Sequence, residues 1–538
     1  RYFLPIIAFA AVIFLFHGVA FADGNDDAGL IQLKQRRVPL FIGRENKGLM
    51  QIDFGQDKRF AKLKSIEIRY DGTSHPEMLD SVNIYQVATK GGVNLSRKLF
   101  AYATSGKTGF SFAEKGKKNL RGSRLQFDFV VKPDARFEHS VVIKSITLTF
   151  AGNKKQEYTT DPSFRYRPAL VLRAVGQDNS QSYRIPGIVT TEKGSLIAIY
   201  DVRYNNSKDL QEDIDIGMSR STDNGQTWEP MKIIMDMGEW GGRPNRLNGI
   251  GDPSILYDPY NNTLWTAAVW ISGLSPDKAL WFESKPGMQP DETGQFLLVK
   301  STDDGLTWSG PINITPQIKD PAWQFLLAGP GRGLTLKDGT LVFPAQFKKD
   351  IGKKAIDGGQ YTPFSTIIYS KDKGQTWKIG EGAKPNTTEA QAVQLPNGSI
   401  MLNMRDDLNR ADKSETNGRA VAVTSDMGKT WQVHPSSNSA LPESNCMASL
   451  IDYNPEGKMA RLFFSNPASK YDRTHMTVKV SYDKGNTWPE KHHILLNEDY
   501  GFGYSCLTVT ADGCLGILYE GNSELFFQKI PLSETDQE

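Results

Sequence analysis

Most of the chain consists of short apolar runs broken by polar turns. The alternation inside runs such as GSLIAIYDV and SIMLNMR predicts strands. Between paired runs lie hairpin turns: EKG at 192–194, DPYNN at 258–262, KDG at 337–339, PNG at 396–398, NPEG at 454–457 and ADG at 511–513, six in all. A second turn recurs five times as an eight-residue pattern, STDNGQTW from Ser221, STDDGLTW from Ser301, SKDKGQTW from Ser370, TSDMGKTW from Thr424 and SYDKGNTW from Ser481. Its Asp can accept backbone N–H groups, its Gly supplies a positive φ, and its Trp can pack under the turn.

Five of the six hairpin turns are followed by one of these patterns, so each unit contains two hairpins, or about four strands. Six such units predict an all-β, six-bladed β-propeller over residues 167–538. The sixth unit lacks its own final turn, and RPALVLRA at 167–174 is available to close the ring by pairing with it. Ahead of it, LMQIDFG, KLKSIEIRYDG, SVNIYQVA, RLQFDFVV and VVIKSITLTF alternate without the eight-residue turns. They predict an antiparallel β-sandwich accessory domain at 23–158. The KKQEYTTDPS stretch reads as a linker, with its boundaries set at 159–166.

The chemistry enters with SYRIPGIV, where Arg184 and Pro186 interrupt an apolar strand. A permanent charge there is costly unless an anion meets it. Counting outward from the turn at 192–194 places Arg184 at the opposite rim, nearly beside Val202 and Arg203. The same count around PNG puts Glu389 beside Arg405. Arg473 opens the run HMTVKVS, and Tyr504 opens the strand that ends at ADG. All fall on the rim away from the turns, where the inner strands of a propeller converge on its axis. A lone strand-end arginine most often forms a salt bridge, but several at equivalent positions make a site for a carboxylate, which guanidinium forks bind in bidentate fashion.

SYRIP, the repeated turns known as Asp boxes, NMRD at 403–406 and YDRTHMTVKVS together resemble the bacterial exo-α-sialidases, from about Arg167 to Pro531. The resemblance implies that Arg184, Arg405 and Arg473 clamp a substrate carboxylate and that Arg203 supports the O4 side of the sugar. It further implies that Tyr504 and Glu389 form the nucleophile pair, with Asp209 as acid/base and Asp252 as a further sugar contact. Asp213 and Asp215 are alternatives for the acid/base if the loop register differs, although their place on the run DIDIGMSR favours strand packing. The implied activity is retaining hydrolysis of terminal sialic acids from glycoproteins, glycolipids and oligosaccharides through a covalent tyrosyl intermediate. A trans-sialidase would keep the same residues, and a sialic-acid-binding propeller need not keep Tyr504, Glu389 and Asp209 together. The accessory domain is expected either to bind or present glycans or to steady the propeller.

Charge is balanced, with 63 Lys and Arg against 61 Asp and Glu, which gives no reason to expect nucleic acid or an anionic membrane as partner. The apolar run at 3–19, ending in the A-x-A pattern of Ala20 and Ala22, reads as a signal peptide at 1–22 and a secreted or periplasmic protein. A membrane anchor is the competing reading, but the run is short for a spanning helix and nothing later could span. Export would leave at least one of Cys446, Cys506 and Cys514 unpaired. A turn at Ala511 and Asp512 would set Cys514 opposite Val509, out of register with Cys506, so free, buried cysteines are expected. No HExxH, CxxC or EF-hand pattern occurs, and no catalytic metal or other cofactor is expected.

Overall fold

The structure is a computed structural model that describes residues 31–55, 63–90, 93–104, 106–113, 120–210, 212–273, 283–454 and 459–536. The expected signal at 1–22 lies outside them. Among the described residues strands dominate, and helix is confined to short turns such as Thr315–Ile318. Among the described residues no helix is long and apolar enough to cross a membrane.

Two compact units emerge. The first holds Arg44–Lys132 and Val141–Arg165 together with residues up to Arg36. It contains two antiparallel sheets, one of five strands centred on Ser123–Val131 and one of four that includes Leu63–Tyr70 and Ile143–Phe150. Alternate residues of Leu63–Tyr70 are buried, as a sheet with one covered face requires. The ring of Phe110, from one sheet, meets that of Phe129, from the other, at 6.1 Å and 80°. KKQEYTTDPS is not wholly a linker: Lys155–Thr159 is an edge strand paired with Ile143–Phe150. Its alternating polar and half-buried residues suit an edge, and that weak apolar signal is why the sequence reads as a connector.

The second unit holds Tyr166–Glu538 with two excursions, Arg37–Gly43 and Pro133–Ser140. The predicted boundary at 158 therefore needs correcting, because both excursions fall inside the expected sandwich. Leu40–Phe41 pairs in parallel with Pro168 and Ala169, and Phe41 packs on Phe526 at 4.7 Å. Phe137, 2% exposed, meets Phe527 edge to face at 5.4 Å. Phe137→Ala is accordingly expected to destabilise this second unit by about 3–5 kcal/mol in denaturant unfolding. An unchanged midpoint would mean that the excursion adds nothing to the core.

Among the described residues this unit contains six four- or five-stranded sheets. Neighbouring sheets pack in chain order, and the last returns to the first, with Ser505–Val509 beside Ser182–Thr190. Pro168–Arg173 closes the ring antiparallel to Leu525–Pro531, Ala169 lying opposite Gln528. The eight-residue turns join the third strand of a sheet to its fourth. In the first of them Asp223 accepts the Thr227 N–H at 2.9 Å and Gly225 N–H donates to Ser221 Oγ at 2.9 Å. Gly225 sits at φ +87°, and its neighbour Asn224 is also left-handed, at +58°.

Cys446, Cys506 and Cys514 are free and buried. The predicted register at Cys514 is off by one residue. Val509 faces Leu515, and Thr510 N–H donates to Cys514 O at 2.8 Å across a turn of three residues, Ala511 to Gly513. Gly513, at φ +76°, belongs to the turn and not to the strand.

Candidate active site

Arg184 enters the site on a bulged strand. It lies opposite Asp201, and Gly187 lies opposite Ile199, so Ile185 and Pro186 together face one residue. This extra residue corrects the count that set Arg184 beside Val202 and Arg203. Ile185 is held at φ +57°, an unfavourable backbone for a β-branched residue, and persists because its surroundings over-determine it. Its N–H donates to Glu520 Oε1 at 2.8 Å, and the same oxygen accepts Arg184 Nε at 2.7 Å. The other oxygen of Glu520 accepts the Tyr504 N–H at 2.9 Å. One buried carboxylate thus positions both Arg184 and Tyr504.

Glu389 is beside Arg405, as the count around PNG predicts. Arg405 Nη1 donates to Glu389 Oε2 at 2.6 Å and to the Tyr504 hydroxyl at 3.2 Å. The Tyr504 hydroxyl in turn donates to Glu389 Oε1. Burial, and then the Glu389 charge, push the Tyr504 phenol well above its usual pKa. Arg473 does not open its strand, which starts at Met476; it lies in the preceding loop. There Nη1 donates to Phe502 O at 2.7 Å, and the guanidinium lies 5.6 Å from the Tyr504 ring. The reason is the left-handed His475 at φ +61°, which turns the chain before pairing begins.

Asp209 meets Arg203 Nη1 at 2.9 Å and Arg184 Nη1 at 3.6 Å, while its side chain keeps 45% exposure. Burial would raise its carboxyl, but Arg203 and Arg184 hold it below the ordinary range. Arg203 is 1% exposed and also donates to Asp201, at 2.7 Å from Nη2. Asp201 accepts the Asp252 N–H at 3.1 Å. Asp252, like Ile185, sits at positive φ (+54°) before a proline, and its strand is bulged between Gly251 and Ser254. Burial, with Asp201 and Asp209 nearby, pushes the Asp252 carboxyl well above the ordinary range. Asp213 and Asp215 are not brought to the arginines: Asp215 accepts the Tyr204 hydroxyl at 2.9 Å, and Asp213 O accepts the Tyr204 N–H at 3.3 Å.

Residues at the site that escape the sequence reading include Glu520, Asp201 and Phe502. Counting outward from ADG brings Glu520 to Tyr504 only within the one-residue error already noted for that turn; in the structure its N–H donates to Tyr504 O at 2.9 Å. Asp201 has the same signal two residues before Arg203. Phe502, whose ring centroid is 4.4 Å from the Arg184 guanidinium carbon, lies in a loop with no periodicity to read.

A ring of largely antiparallel sheets that gathers a tyrosine–glutamate pair, four arginines and an exposed carboxylate at one rim has the framework of a β-propeller glycoside hydrolase. The family model described as a BNR repeat-like domain matches residues 194–517. A sialidase of Bacteroides fragilis (strain YCH46) is 40% identical over 94% of this chain and 95% of its own. One of Paraclostridium sordellii is 31% identical over 65% of this chain and 84% of its own. Among solved structures, Hadza microbial sialidase Hz136 is 36% identical with a TM-score of 0.83, covering 93% of this chain and 99% of that one. The chain therefore belongs to the sialidase family, the exo-α-sialidases among the glycoside hydrolases.

Proposed function

We propose that the protein releases terminal sialic acids from glycoproteins, glycolipids and oligosaccharides with retention of configuration, through a covalent intermediate on Tyr504. The observation that carries this reading is the Tyr504 hydroxyl donating to Glu389 inside the arginine cluster. A sialic acid bears its carboxylate on the anomeric carbon, so a carboxylate nucleophile would approach against like charge, whereas a neutral phenol does not. Its proton, bound tightly in the buried site, needs a base at the moment of attack, and Glu389 is in contact to take it. Arg184, Arg405 and Arg473 bind the substrate carboxylate, Arg203 supports the sugar on its O4 side, and Asp252 is a further sugar contact.

In the first step the Tyr504 oxygen bonds to the anomeric carbon as its proton passes to Glu389. The glycosidic bond breaks, and Asp209 protonates the departing oxygen. In the second, Asp209 takes a proton from water, which displaces Tyr504, and the phenol regains its proton from Glu389. Tyrosine nucleophiles in sialidases are an established exception to the two-carboxylate scheme of glycosidases. Two inversions release the α anomer first, so early product NMR is expected to show α before mutarotation. First appearance of the β anomer would exclude the covalent route.

The Asp209 environment leads to a pH prediction. With Arg203 and Arg184 depressing its pKa, the free enzyme loses the protonated donor at low pH. A substrate carboxylate on Arg184 would cancel part of that positive field and raise Asp209. The profile of kcat/KM follows the free enzyme and that of kcat the complex. The alkaline limb of kcat is therefore expected at higher pH than that of kcat/KM. Coincident or reversed limbs would remove Asp209 from the donor role.

A further inference from the structure

The arginines need support of their own, because long side chains lose rotamer freedom when fixed. Asn445 stands between two of them. Its side-chain oxygen accepts Arg405 Nη2 at 3.0 Å, and its backbone carbonyl accepts Arg473 Nη2 at 3.4 Å. Its amide nitrogen donates to Asp406 O at 3.0 Å and to Asp407 Oδ1 at 3.3 Å. The residue is 5% exposed and left-handed, at φ +57°. Asparagine is among the few residues other than glycine that tolerate this backbone, and its amide both accepts and donates. Aspartate would keep the acceptor but lose the donor and set a second charge against Asp407.

We propose that Asn445 is a positioning residue that sets Arg405 and Arg473 relative to one another for the substrate carboxylate, the first through its side chain and the second through a backbone carbonyl turned inward by the left-handed conformation. The inference rests on the reading of these arginines as carboxylate ligands. On that footing the side chain and the backbone have separable roles. Asn445→Gly favours the same positive φ and so keeps the Arg473 contact while deleting the side-chain bonds to Arg405, Asp406 and Asp407. Asn445→Ala deletes the Arg405 contact and also strains the backbone that presents the carbonyl.

The test is calorimetric binding of a 2,3-dehydro sialic acid and of its methyl ester to the wild type and both variants, with unfolding midpoints measured alongside. Loss of one hydrogen bond to a charged group predicts that Asn445→Gly weakens binding of the acid by about 10- to 100-fold, with Asn445→Ala at least as affected. Binding of the ester is expected to stay near wild type, because the discrimination lies in the carboxylate. Unaltered acid binding by Asn445→Gly would overturn the proposal. So would equal losses on acid and ester, which mark a structural role only. If the wild type itself fails to prefer acid over ester, the arginine reading fails, and this inference with it. Should Asn445→Ala not fold, the glycine variant carries the test.

Discussion

Tyr504→Phe is expected to lower turnover by about 10³-fold or more on every sialoside, because under the proposed mechanism it removes the bond-forming atom and leaves the rest of the site in place. Phenylalanine keeps the ring that lies near the Arg184 and Arg473 guanidinium groups, at 5.4 Å and 5.6 Å, so binding of a carboxylate inhibitor is expected to survive. It also frees Glu389 from its proton-donating partner while Arg405 still holds the other oxygen. The informative comparison is between substrates. A better leaving group does not restore a missing nucleophile, so an activated aryl sialoside is expected to show a loss of the same order as a natural one. Steady-state kinetics with both substrates, together with inhibitor titration, check this. A variant that binds inhibitor normally and turns over aryl sialosides near the wild-type rate would place the nucleophile elsewhere.

Asp209→Asn is expected to behave differently because a proton donor matters only where the leaving oxygen needs one. On natural sialosides, whose alkoxide leaving groups are poor, a loss of about 10²- to 10⁴-fold is expected. On an aryl sialoside the first chemical step is spared. The second step still lacks its base, so a burst of phenol followed by slow steady-state release is the expected signature in stopped-flow. Equal slowing of the burst and of natural substrates would move the acid role away from Asp209. Asp213 and Asp215 are the neighbouring carboxylates, and the structure gives Asp215 an environment of its own. Burial and the nearby Asp236 raise it to about 7, and it accepts the Tyr204 hydroxyl at 2.9 Å. Asp215→Asn is therefore expected to leave the leaving-group selectivity intact.

How far local pattern reaches is visible from particular residues. Alternation and the repeated turns identified the sheets because period-two burial and left-handed turn residues are properties of a few neighbouring positions. Hairpin counting put Glu389 beside Arg405 because the pairing set by the turn holds out to Ala390 opposite Met404, beyond which a bulge makes Thr388 and Glu389 face Arg405 together. The count missed by a residue at Arg184 and at Cys514. In the first case a bulge at Ile185 and Pro186, stabilised by Glu520 from the sixth sheet, adds a residue that no local rule announces. In the second, a three-residue turn replaced the expected shorter one.

By itself, then, the sequence determined the repeating sheets, the strand that closes their ring, the rim on which the polar residues gather, and the residue types the chemistry requires. Tertiary structure alone decided that Phe137 and Leu40–Phe41 belong to the second unit, that Glu520 ties Arg184 to Tyr504, and that Asn445 bridges Arg405 to Arg473. Each of these is a contact between residues far apart in the chain. Such contacts depend on how sheets pack around an axis and where loops turn inward, and a period along one strand carries no information about either.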